Sequence, residues 1–217
     1  MPFEDRYRNA GLTRNPFAAR MPDDPLSSVF IDRGLRAPPP PRSKTLVQVI
    51  GESGLGKSTQ LQHWRADVPG PYHYIVRRPY SHRWAKAPIT DLVYGDEIDR
   101  MPAPLRAAWF RELRRREATV VIGTHADLTA TARRAGFDAV ITHHLEPLDR
   151  ETMQVLLEQR LEEVSMPGGH ASFSKEDLAA IHRESHGRPG DVEVAAHRAL
   201  AKLVETLSAG EPRILTS

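Results

Sequence analysis

The sequence predicts an α/β fold: a parallel sheet flanked by helices, then a small all-helical subdomain. Three observations predict it. From residue 45, short apolar, β-favouring runs alternate with helix-like stretches, the signature of strands joined by crossover helices. The first strand and helix are joined by a glycine-rich loop, Gly51-Glu52-Ser53-Gly54-Leu55-Gly56-Lys57-Ser58. From Asp149 the strands stop and only helical periodicity remains.

Residues 1–44 are rich in proline, arginine and small side chains, and Pro38-Pro39-Pro40-Pro41 forms a short stiff stretch. This region reads as an N-terminal extension ending in a connector. Thr45–Ile50 is the first strand and Ser58–Ala66 the first helix. A second strand is expected at Tyr72–Val76 and a third over Ile89–Gly95. Pro102 and Pro104 open a helix through about Arg116, with Leu105, Trp109 and Leu113 on one face at i, i+4 and i+8. Thr119–Gly123 is the fourth strand, Leu128–Ala135 a short helix and Ala139–Thr142 the fifth strand. In the helical region Met153, Leu156, Leu157, Leu161 and Val164 share a face. Ser174 with Asp177 resembles a capping box, and Pro189 sits where a first helical turn tolerates it, ahead of Val192, Ala195, Ala196, Ala199 and Leu203. The expected organisation is therefore an extension over 1–44, a sheet domain over 45–147 and a helical lid over 148–217.

At 217 residues the chain is one domain, or one with a small appendage. The absence of cysteine excludes disulfides and thiolate metal sites. No apolar run approaches bilayer length, and the N-terminus lacks the apolar segment of a signal peptide. The expectation is a soluble, cytoplasmic protein without a membrane partner. The net charge of +2 does not by itself imply nucleic acid.

The loop carries the chemistry. It matches G-x-x-x-x-G-K-[ST] between a strand and a helix, the context in which that pattern binds phosphate. Its glycines let backbone N–H groups turn inward around an anion, and the next helix aims its positive end there. Gly51, Glu52, Ser53, Gly54, Leu55, Gly56, Lys57, Ser58 and Thr59 are thus expected to hold ATP. Lys57 would reach the β- and γ-phosphates and Ser58 would hold Mg²⁺. The third strand ends in Asp96-Glu97, at the sheet edge where α/β proteins bind ligands. Asp96 is expected to hold Mg²⁺ and Glu97 to polarise the attacking water. Asp99 lies in the same acidic cluster, which also suits a helix start. With strands in the order 5-1-4-3-2, the fourth strand lies between the first and third. Thr124 or His125 at its end would then contact the γ-phosphate or the water, or form a loop-capping pair.

With these elements in place, the chain resembles the AAA+ ATPases and their STAND relatives, particularly compact members serving secretion, replication origins and transposition. The two Walker motifs are the specific part. Thr124 matches the sensor 1 position, and Arg133-Arg134-Ala135-Gly136-Phe137-Asp138 resembles the run leading to the family's arginine fingers. The resemblance implies that Arg134 or Arg133 reaches a neighbouring subunit's site, although the second arginine usual before the phenylalanine is missing. Phe30-Ile31-Asp32-Arg33 resembles the F-[VI]-G-R adenine box, which assigns Phe30 and Arg33 to the nucleotide. Asn15-Pro16-Phe17 resembles an N-terminal motif of secretion- and origin-type members. Gly187-Arg188-Pro189 resembles the G-x-P lid element and assigns Pro189 to the nucleotide; Gly190 stands where sensor 2 arginine is usual. The interval from about Arg77 to Pro88 is too short for the pore-loop insertion of threading motors.

The resemblance implies an ATP-hydrolysing switch acting on a macromolecular partner, with an unidentified protein partner, DNA and nucleotide-dependent self-association as expected interactions. Arg111, Arg114 and Arg115 would suit a phosphate backbone, but Glu112 and Glu117 interleave, and a solvated helix face is the preferred reading. The alternatives are a nucleotide-binding regulatory module with little turnover and, less favoured, a small-molecule kinase.

Overall fold

The computed structural model describes residues 7–8, 10–17, 29–75, 89–168 and 171–208. The chain divides into two compact units, residues 32–146 and residues 1–31 with 147–217.

The first unit is a five-stranded parallel sheet. Its elements are β1 (Thr45–Ile50), α1 (Lys57–Asp67), β2 (Tyr72–Tyr74), β3 (Leu92–Asp96), a 3-10 turn (Ile98–Arg100), α2 (Ala103–Arg115), β4 (Thr119–Thr124), α3 (Thr129–Ala135) and β5 (Ala139–His144). The spatial order is β2-β3-β4-β1-β5, the arrangement expected from the sequence. All strand pairs are parallel, with Ile50 opposite Thr124 and Gly95 opposite Ile122. β1, β3 and β4 are buried along their whole length, whereas the outer strand β5 alternates between exposed and half-buried positions. Helices cover both faces, so central strands must be apolar throughout. Leu61 and Trp64 of α1 meet Val47, Val49, Tyr94 and Val121 on one side. Trp109, Phe110 and Leu113 of α2 meet Leu46, Val93, Val120 and Ile122 on the other.

Four of the five strands differ from expectation at an end: β2 stops at Tyr74, β3 and β4 run one residue further, to Asp96 and Thr124, and the start of β3 and the end of β5 also move. β3 begins at Leu92, because Ile89 is 90% exposed and the Thr90 hydroxyl bonds the Leu92 carbonyl, turning the chain before the sheet. β5 runs on to His144, where Ile50 still provides a partner. Val76 and the interval 77–88 lie outside the described residues. The proline connector is fastened beneath the sheet: Thr119 Oγ1 donates to the Pro40 carbonyl at 2.7 Å, and Arg42 pairs with Asp91 at 2.9 Å.

The second unit is helical: α4 (Arg150–Val164), α5 (Lys175–Ser185) and α6 (Pro189–Ser208). Asp149 caps α4 through Thr152 N–H, and Ser174 with Asp177 forms a complete capping box on α5. Met153, Leu157, Leu161, Ile181, Val192, Ala196 and Leu200 make its core. Gly187 has φ +70°, and a Cβ there would overlap the Leu148 carbonyl oxygen, so only glycine fits. The linker reading of residues 1–44 does not anticipate what Tyr7, Ala10, Leu12 and Phe17 do: they are buried in this helical core. Thr13 N–H donates to Val164 O and Met166 N–H to Gly11 O, stitching the segment to the end of α4. Asn15 Nδ2 meets His197 Nδ1 at 2.7 Å, and Phe17 packs 6.0 Å from Phe173. Burying Leu12 and Phe17 stabilises this attachment by about 1.5–3 kcal/mol each.

Candidate active site

β1 ends in the loop 51–56, and its end is pinned on both sides. Gly51 N–H donates to Thr124 O at 3.2 Å and Leu145 N–H to Ile50 O at 2.8 Å. Gly54 and Gly56 take left-handed backbone with φ +83° and +91°, which reverses the chain into α1. Ser53 and Gly54 form the exposed turn, while Leu55 is buried against the sheet. Ser58 and Thr59 stand exposed on the first turn of α1.

Lys57 is 4% exposed. Its ammonium donates to the carbonyls of Gly51 at 2.8 Å and Glu52 at 3.0 Å and meets His125 Nε2 at 3.1 Å. Burial lowers its pKa, and the nearby charges of Glu97, Asp96 and Asp99 partly restore it. Since an ammonium only donates, neutral His125 accepts at Nε2 and carries its proton on Nδ1. That nitrogen faces Asp99 Oδ2 at 3.2 Å and Glu97 Oε2 at 3.3 Å.

Asp96, at the end of β3, is fully buried. Ser58 Oγ donates to its Oδ2 at 2.5 Å, the Tyr72 hydroxyl donates to the same oxygen at 2.8 Å, and Glu97 N–H donates to Oδ1 at 3.0 Å. Among the described residues it forms no ion pair within 4 Å, and these three hydrogen bonds come from neutral donors. Gly123 makes room for it, since a Cβ there would stand 2.5 Å from Asp96 Oδ1.

Glu97 begins the turn after β3 in left-handed backbone, φ 59°. Its Oε2 is buried near Arg100 Nε at 2.9 Å, yet among the described residues it accepts no aligned hydrogen bond. Arg106 braces this turn through the Asp99 and Met101 carbonyls. Burial pushes the Asp99 carboxyl up, but hydrogen bonds from the His125 backbone N–H and ring outweigh that and hold its pKa below the usual range. Glu97, Asp99 and His125 also offer ligand atoms within 4.8 Å of one another, the donor set of a metal site. Arg100 pairs with Glu97 there, and Lys57 lies close enough for the charges of Glu97 and Asp99 to raise its pKa.

Lys57, Ser58, Asp96, Glu97 and His125 are thus brought together. Thr124 is fully buried, but its hydroxyl is spent on its own turn, donating to Ala126 O at 2.9 Å and accepting from Ala126 N–H. Its neighbour His125 is the side chain that reaches Lys57. Arg33 donates to the Glu146 carbonyl at 2.7 Å, fastening the connector to the end of the sheet domain. Phe30 is half-buried, and Pro189 opens α6 in the helical unit. Arg134 is exposed on the last turn of α3, which starts at Thr129 beside Gln48 and is followed by Asp138, whose N–H bonds the Lys44 carbonyl just before β1. It therefore lies toward the sheet edge opposite the loop. The arginine face of α2 is largely compensated: Arg115 and Arg116 pair with Glu112, and Arg114 with Asp138.

Sequence reading missed Tyr72, Gly123 and Gln48. Gln48 is a fully buried polar residue in β1, itself a signal in an apolar strand. Its Nε2 reaches Asp127, Thr129 and Thr142 at 2.8–2.9 Å, and its Oε1 accepts from Leu128 N–H, fixing the loop that carries His125.

No protein-family profile and no curated protein sequence matches the chain. Solved structures do. A single-residue mutant of RuvB from Thermotoga maritima aligns with TM-score 0.56 at 14% identity, covering 76% of this chain and 57% of that one. RuvB of the same organism described as a Holliday junction branch migration motor gives 0.51 at 13% identity over 75% and 56%. Cdc6p from Pyrobaculum aerophilum gives 0.50 at 16% identity over 76% and 56%. The chain therefore shares the fold of these RuvB and Cdc6p structures. The chain spans a little over half the length of these relatives.

Proposed function

We propose that this chain is an AAA+-type ATPase that binds ATP with Mg²⁺ at residues 51–59 and hydrolyses it as a switch on a macromolecular partner. The observation that carries the reading is the 2.5 Å bond from Ser58 Oγ to Asp96 Oδ2, which joins two motifs 38 residues apart in sequence. The fold it shares with AAA+ ATPases supports it.

The residues fit Mg²⁺. Ser58 Oγ and Asp96 Oδ2 are hard oxygen donors, the class that cation prefers. Among the described residues the hydrogen bonds to the fully buried Asp96 carboxylate all come from neutral donors, and a divalent cation there would complete the charge balance. When bound, Mg²⁺ would offset the negative charge of the phosphates. Ser58 and Asp96 would hold it. The backbone N–H groups from Glu52 to Gly56 would cradle the phosphates. Lys57 would exchange the Gly51 and Glu52 carbonyls for the β- and γ-phosphates. Glu97, released from Arg100, would accept a hydrogen bond from the attacking water, and His125 would hold the γ-phosphate side of Lys57. Thr124 would act through the turn it closes. Thr59, Phe30, Arg33 and Pro189 complete the proposed nucleotide contacts, Arg33 by holding the connector.

Arg134 would serve only a neighbouring subunit, because α3 carries it away from the loop of its own chain. Nucleotide-dependent self-association is therefore part of the proposal. DNA is the proposed partner class, a reading supported by the branch-migration motor among the structural neighbours. We further propose a division of labour between a nucleotide-binding domain over 45–147 and a lid over 148–217. Among the described residues no helix is long and apolar enough to cross a membrane.

Calorimetric titration with ATP·Mg²⁺ and a phosphate-release assay test the site. Lys57→Ala should abolish or strongly weaken binding. Glu97→Gln should bind normally and turn over about 10²-fold more slowly, the scale of general-base loss. Unchanged affinity in Lys57→Ala would overturn the assignment.

A further inference from the structure

Asp96 Oδ2 accepts from two hydroxyls, and only one belongs to the phosphate-binding loop and its helix. The second is the phenol of Tyr72, on the outer strand β2. Tyr72 lies two residues from Tyr74, which stands opposite Asp96 in the parallel register, so its side chain reaches diagonally across to the carboxylate. Its ring is steadied from α1 by the Arg65 guanidinium 5.6 Å from the ring centroid, itself anchored by Arg65 Nε donating to Gly70 O at 3.0 Å. Ser58 and Tyr72 hold Oδ2 while Glu97 N–H holds Oδ1, so neither carboxylate oxygen is free to rotate.

We propose that Tyr72 is a positioning residue for the divalent cation: its hydroxyl fixes the Asp96 carboxylate in the orientation that takes the metal of the nucleotide complex. The inference rests on the reading of Asp96 as metal ligand. The phenol is suited to a permanent donor role. A tyrosine hydroxyl carries its proton at neutral pH and so donates to the carboxylate. Hydrogen-bond partners of a metal-ligating group orient that group, and losing one typically lowers metal affinity about 10–100-fold.

Tyr72→Phe removes the hydroxyl and keeps the ring beneath Arg65. The measurement is Mn²⁺ affinity of the ADP complex by electron paramagnetic resonance, beside ADP affinity in EDTA by calorimetry. Tyr72→Phe should weaken Mn²⁺ binding about 10-fold or more and leave metal-free ADP binding unchanged, which also verifies that the variant is folded. Asp96→Asn is the companion variant. If it loses Mn²⁺ affinity while Tyr72→Phe retains it, the positioning role is overturned and the metal ligand stands. If neither loses Mn²⁺ affinity, the reading of Asp96 fails and the inference fails with it. Equal weakening of Mn²⁺ binding and metal-free ADP binding in Tyr72→Phe would also overturn the proposal, because it would mean a general loss of packing.

Discussion

Gly123→Ala adds one methyl group at the place where the structure has least room for it. The new Cβ would lie 2.5 Å from Asp96 Oδ1 and 3.5 Å from both Asp96 Cγ and Lys57 Cβ. Real Cβ atoms essentially never come closer than 3.0 Å, so something must give by about half an ångström. The strand resists: β4 is paired on both sides, with Gly123 opposite Val49 in β1. The Asp96 side chain must move, and it is held by Ser58, Tyr72 and Glu97 N–H. Overpacking of this kind costs about 1–3 kcal/mol. Losing one of the three hydrogen bonds adds about 0.5–1.5 kcal/mol. In an unstrained strand the change would instead stabilise by about 0.5–1 kcal/mol, because glycine gives up more freedom on folding. A net destabilisation of about 0.5–4 kcal/mol is expected, read as a lower urea midpoint with unchanged slope, together with weaker Mn²⁺ binding to the ADP complex. A variant as stable as wild type or more so, with unaltered metal affinity, would refute the packing of Asp96 on Gly123.

Gln48→Leu keeps the volume and removes the amide whose two N–H groups are shared among Asp127, Thr129 and Thr142 and whose oxygen accepts from the buried Leu128 N–H. It should destabilise by about 1–3 kcal/mol in urea unfolding, and an unchanged midpoint would contradict the role of Gln48 in holding the His125 loop. Burial lowers the pKa values of His143 and His73, with a hydrogen bond to the Arg36 backbone partly offsetting this at His143. The unfolded chain therefore takes up protons first, so stability is full above about pH 6.5 and declines as the pH falls below it. The urea midpoint should drop between pH 7.5 and 5.5. His143→Phe, which keeps a ring against Trp64, should shrink that drop, and equal drops in both proteins would refute the assignment.

Much of the architecture is legible in the sequence because the sheet is covered on both faces. β1, β3 and β4 are central and read as mainly apolar runs, and their helices lie between them in chain order. The phosphate-binding loop is equally local, since its conformation depends on glycines only two residues apart. The N-terminal segment escapes for the opposite reason. Tyr7, Leu12 and Phe17 are scattered among polar and proline residues, so no periodicity announces that they are buried against helices well over a hundred residues away.

The parts of the site that are not legible depend on register between strands distant in sequence. Tyr72 is an ordinary outer-strand tyrosine until β2 is aligned so that Tyr74 faces Asp96. Gly123 looks like a small residue in an apolar strand until β4 is set beside β3 and the Asp96 carboxylate falls on it. The pair Thr124-His125 shows the same limit at finer scale. Either residue suits a strand end that senses phosphate, and the alternation of side chains does not choose between them once the strand breaks into a turn. The choice is made by the backbone: Ala126 N–H and carbonyl capture the short Thr124 hydroxyl, and the longer imidazole is left to span from Lys57 to Asp99. Asp99, readable in the sequence only as one more acid near a helix start, gains its role from that same turn. It receives both the His125 backbone N–H and the ring, so the loop after β4 is tied to the turn after β3 across the space where Lys57 lies.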